Sequence, residues 1–111
     1  MPDFDLYGFA DSDLAAVRLA VEEAIGIEFV RRENPHMGGE FYGTKPGPGN
    51  EHFVLRRNLD PATREVAEEE FADQPTILYV NCTTRSDAIR AKLEAMAKPP
   101  KLLRHGPLRK G

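Results

Sequence analysis

Between Asp3 and Ile25 the spacing of apolar residues changes from two to three and four, and no other feature of the chain constrains its fold as much. Residues Asp3 to Phe9 alternate, with Phe4 and Leu6 on one side and Asp3, Asp5 and Tyr7 on the other, the period of a β-strand. From Leu14 the apolar residues Leu14, Val17, Val21, Ala24 and Ile25 fall on one stripe of a helix. Asp11, Ser12 and Asp13 supply N-cap oxygens and negative charge where the helix dipole favours them. Gly26 stands where a left-handed C-cap is needed.

The same reading continues along the chain. Ile27 to Glu33 alternates, with Ile27 and Phe29 on one face and Glu28 and Val30 on the other, and Asn34-Pro35 marks a turn. Glu40-Phe41-Tyr42 is a short strand bounded by glycines. Residues 45–50, KPGPGN, form a flexible loop. His52 to Arg57 predicts a strand with Phe53 and Leu55 inward. Residues 59–74, LDPATREVAEEEFADQ, have Leu59, Val66 and Phe71 as their main apolar anchors and read as a long acidic connection with a helical turn after Pro61. Thr76 to Cys82 is the most hydrophobic strand and therefore central. Thr84 as N-cap with Asp87 reaching back opens a second helix, with Ile89, Leu93 and Met96 on its inner face and Pro99-Pro100 ending it. Lys101 to His105 is a last strand, and 106–111 a mobile basic tail.

The order β-α-β-β-β-connection-β-α-β predicts a single α+β domain over 1–111. The architecture is a two-layer sandwich, a mostly antiparallel sheet of five to six strands with two helices on one face. Val21, Phe53, Leu78 and Leu93 are expected in its core.

Little catalytic chemistry is legible. One cysteine in 111 residues excludes an intrachain disulfide framework and a Cys-rich metal site. No apolar run approaches the roughly 20 residues of a membrane span. The opening MPDFDLYG lacks a basic and an apolar signal region, so a cytoplasmic location without membrane attachment is expected. His36, His52 and His105 have no ligand spacing; they read as surface histidines, and neither metal nor cofactor is expected. Cys82 precedes a helix start, where a thiol can be activated, but no base or oxyanion donor accompanies it; the preferred reading is a half-buried structural cysteine. The glycines match neither GxGxxG nor a P-loop. Arg31-Arg32 and Arg56-Arg57 would make an anion patch if their strands met, with Glu33 and Asp60 as partner acids. Nucleic-acid binding is not expected at a net charge of −3. That charge is uneven. Segment 59–74 has six acids and one arginine, hence −5, which leaves the rest of the chain at +2.

The pattern as a whole resembles the small bacterial α+β immunity proteins of polymorphic-toxin and contact-dependent growth-inhibition systems. The carrying stretches are FDLYGFADSDL before the first helix, GGEFYG, the FVLRRN strand, and ILYVNCTTRSDAI before the closing helix. They are strand and turn patterns spread over residues 3–105. The resemblance implies a non-enzymatic inhibitor that binds a cognate toxin domain inside the producing cell. Toxin domains of such systems are often basic, and a local acidic field would steer their encounter. Glu65, Glu68, Glu69, Glu70 and Asp73 are therefore the expected contact residues. Phe41 and Tyr42 are the competing aromatic site, one ring inward and one free, with Tyr42 taken as the contact. The alternatives are a small-molecule-binding regulatory domain and a small cytoplasmic enzyme using Cys82.

Overall fold

The computed structural model describes residues 2–107. Its elements are β1 (Asp3–Phe9), α1 (Leu14–Ile25), β2 (Val30–Asn34), β3 (Gly39–Gly43), β4 (His52–Arg57), β5 (Thr76–Thr83), α2 (Ser86–Glu94) and β6 (Lys101–Arg104). The fold is α+β. The six strands form one open sheet in the order β2-β3-β4-β5-β1-β6, every neighbouring pair antiparallel. β5 and β6 both run antiparallel to β1, which lies between them, so β5-α2-β6 is a crossover with a strand inserted. Among the described residues no helix is long and apolar enough to cross a membrane.

α1 forms where the periodicity places it. Asp13 accepts the Ala16 N–H at 3.2 Å and caps the N-terminus, and Gly26 takes a left-handed conformation at φ 80 to close the C-terminus. Leu14, Val17, Val21 and Ile25 of α1 and Ile89 and Leu93 of α2 share one core with Tyr7, Phe9, Tyr42, Phe53, Leu55, Leu78 and Val80. Both helices therefore pack on the same sheet face. The four expected core residues are all within it.

Three local expectations change. β2 begins at Val30, because the Phe29 N–H is taken by Glu22 Oε2 at 2.8 Å and its ring turns into the core. α2 has no Thr84 cap. Its N-cap is Arg85, and the Arg85 N–H is accepted one residue earlier, by Thr83 Oγ1 at 3.1 Å. Thr83 is positioned for this by donating to Glu51 Oε2 at 2.8 Å. α2 also ends at Glu94, before the two prolines. The mobile-tail expectation falls on residues that, from 108 onward, lie outside the described ones; Gly106 accepts the Phe4 N–H at 2.7 Å.

The second face of the sheet is also covered. Leu6 and Ile77 are 1% and 0% exposed although both point away from the helices. Residues 59–74 cross this face as a strap. Gly8 shows how closely: a Cβ there would stand 2.5 Å from Gln74 Oε1, so any other residue would require the Gln74 side chain to move.

Candidate functional site

The acidic segment is built around Asn58, 1% exposed, at the end of β4. All four of its hydrogen-bonding groups are used. Its N–H donates to Pro75 O at 3.0 Å and its carbonyl accepts from Ala67 N at 2.8 Å. Its Nδ2 donates to Phe71 O at 2.8 Å and its Oδ1 accepts from Glu68 N at 2.9 Å. One asparagine thus ties the end of the strap and two points along it to the sheet. Asp60 shapes the first bend: its Oδ1 accepts from Ala62 N at 2.8 Å and Thr63 N at 3.3 Å, and its main chain pairs with Arg64 and Glu65. Those amide bonds, led by Ala62, hold the Asp60 carboxyl below its usual range. A bridge between Leu59 and Val66 and a 3-10 turn at Glu69–Phe71 complete the strap.

The five expected contact acids divide in two. Glu65, Glu69, Glu70 and Asp73 are exposed on the strap. Glu68 is not available in the same way. It accepts the Tyr79 hydroxyl at 2.5 Å and pairs with Arg104 at 3.2 Å, with 18% of its side chain exposed. Burial first, and then Glu68, push the Tyr79 phenol well above its ordinary value. Glu68 is therefore a clamp between strap and sheet, because its neighbour Asn58 fixes its backbone with the side chain facing β5.

Tyr42 also changes role. It is 7% exposed, meets Phe29 edge to face with centroids 6.4 Å apart, and has the Arg18 guanidinium 5.1 Å above its ring. Its register opposite Leu55 puts it on the helix-covered face. Phe41, one residue earlier, takes the other face and is only half-buried. One ring is inward as expected, but it is the ring that had been assigned to contact.

The arginine pairs do meet, since β2 and β4 both flank β3, but one arginine of each pair, Arg31 and Arg57, is taken up by acids within the sheet. Glu40 binds Arg31 Nε at 2.7 Å and Arg57 Nη2 at 3.4 Å, and Glu33 takes Arg31 Nη2 at 2.8 Å. Arg31, and less so Arg57, keeps the Glu40 carboxyl below its usual value. Arg56 turns to the opposite face and donates to Arg57 O at 3.1 Å.

Cys82 sits in a β-bulge of β5. Between Asp5↔Val80 and Asp3↔Thr83 this strand carries one extra residue, and Cys82 is left-handed at φ 55. Its thiol is free and half-buried. The hydrogen bonds of His52 go to Asn50 O and the Asn81 amide, and that of His105 to Asp5 Oδ1 at 2.6 Å, so neither reaches the thiol. Among the described residues no three His, Cys, Asp or Glu side chains gather as a metal site would require.

Two features escape the sequence reading. Asp5, its side chain fully buried, pairs with His105 across 100 positions. Its only signal is that Asp5 alternates in phase with Tyr7 and Phe9, the helix-facing residues of β1. Asn58 has no signal beyond its place at a strand end. No family model, curated protein or solved structure matches the chain.

Proposed function

We infer that this protein is a non-enzymatic immunity protein that binds a cognate bacterial toxin domain in the cytoplasm and occludes its active site. The observation that carries the reading is the strap. It holds Glu65, Glu69, Glu70 and Asp73 outward on backbone pinned to the sheet by Asn58. Charges held in place need no ordering at the moment of binding, so more of their attraction survives as affinity. A concentrated acidic surface also accelerates encounter with a basic domain. The proposed contact set is thus four of the five acids first named, with Glu68 tying the strap to the sheet from beneath and Tyr42 left in the helix-side core. Phe41 is the nearest candidate for an aromatic anchor.

The test is association kinetics with the cognate toxin domain. Glu65→Gln, Glu69→Gln, Glu70→Gln and Asp73→Asn are combined, and the association rate is measured at low and high salt. The combined variant should associate more slowly and with a shallower salt dependence, the dissociation rate changing little. An unchanged rate and salt slope would sink the acidic-surface reading and move attention to the sheet around Phe41.

A further inference from the structure

The helix layer carries a groove that the docking surface does not use. It lies between α1 and the residues that follow α2, with a volume of about 660 Å3. Ala16, Ala20 and Ala24, one turn apart on α1, line one wall; Ala95, Met96 and Pro99 line the other. Phe9 and Val17, both core residues, reach its floor. The groove exists because alanine is too small to fill the space between the two elements. α1 is apolar on its solvent side as well, with Ala15, Ala16 and Ala20 exposed and Leu19 57% exposed. A surface helix normally turns charge to solvent, so this face is suited to being covered.

The polar groups at the rim are asymmetric. Lys92 and Lys98 stand on the α2 wall, and neither has an ion pair among the described residues. Glu23 is on the opposite wall, and Asp11, at the end near β1, spends its Oδ1 on the Asp13 N–H at 2.8 Å. We propose that this groove binds a small amphiphile, its apolar body between the alanine walls and its carboxylate on Lys92 and Lys98. The volume is in the range of small-ligand sites, roughly 300–1,000 Å3. Ala16 to Ala24 spans about 12 Å of helix, the length of an extended chain of about ten carbons. A partner helix would gain only about two turns of contact over that length, too little to order it.

The probe is decanoate, followed through the methyl resonances of the alanines and Met96 in the full chain without any partner protein, so the result is independent of the immunity reading. Saturable shifts at Ala20, Ala24 and Met96 are expected. Each methylene removed from the probe should weaken binding about fourfold. Lys92→Gln with Lys98→Gln should weaken decanoate about three- to tenfold and leave decanol unchanged, since two exposed ion pairs are lost. Ala20→Phe should abolish binding by filling the groove; the side chain is exposed, so the fold tolerates it, and Ala24→Leu gives a second, milder block. The proposal is overturned if millimolar decanoate moves none of these methyls. It is equally overturned if decylamine and decanol bind as tightly as decanoate, or if sedimentation shows a dimer whose dissociation exposes the groove, which would make a second copy the occupant.

Discussion

Removing the Asn58 side chain tests the central structural claim, that one buried amide holds the acidic strap on the sheet. Asn58→Ala deletes the bonds to Phe71 O at 2.8 Å and from Glu68 N at 2.9 Å and leaves the two main-chain bonds to Pro75 and Ala67 in place. Two hydrogen bonds at about 0.5–1.5 kcal/mol each, with the added cost of two main-chain groups left partnerless under the strap, put the loss at about 2–4 kcal/mol. Part of that loss is expected as local opening, because the strap can lift while the helix-side core stays intact. Denaturant unfolding reads the global part. Amide exchange reads the local part, at Ala67 and Glu68, whose N–H groups bond to Asn58. The variant should show a lowered midpoint and faster exchange at both amides, and Leu6 and Ile77 should lose their cover. An unchanged midpoint together with unchanged protection at Glu68 would refute the claim that Asn58 is the anchor.

Leu78 is fully buried between Leu55 and Tyr7 in the sheet register, so Leu78→Ala should cost about 2–5 kcal/mol, read from the shift in denaturant midpoint at constant slope. Cys82 is left-handed at φ 55, a conformation that penalises any side chain; Cys82→Gly should therefore be about 1 kcal/mol more stable than Cys82→Ala, and equal stabilities would argue against the bulge. Acid should weaken the protein through Glu51, whose carboxyl is held below its ordinary value by Arg85 first and then Thr83. A depressed carboxyl stabilises the fold above its unfolded pKa and loses that contribution as pH falls, so Arg85→Gln should flatten the stability profile below about pH 5. Alkali should act through Tyr79, whose phenol is raised above its ordinary value of 10.0. Its contribution is whole below that pH and declines above it, and Tyr79→Phe should remove that decline.

What was readable in advance is what depends on neighbours in the chain. α1 needed only its apolar stripe, the Asp13 oxygen three residues before Ala16, and a glycine able to turn left-handed. β4 runs over His52–Arg57 as its alternation marked it, and Phe53 and Leu55 face the helices as that alternation required. Period tells which side chains share a face, and with enough apolar residues it tells that the face is buried. It does not tell whether the opposite face is covered too. Tertiary structure decided that residues 59–74 lie on the sheet, and from this follow the inward turn of Glu68, the burial of Leu6 and the close approach of the Gln74 side chain to Gly8. The same limit explains Tyr42 and Phe41. Alternation puts them on opposite sides, but the choice of which enters the core depends on the pairing of Tyr42 with Leu55 and on Arg18 from α1 lying above the ring. Asp5 meets His105, and Glu51 meets Thr83 and Arg85, across separations no local pattern spans. These contacts form because the order of the open sheet brings strand ends together, and burying a polar group costs less where that order delivers a partner.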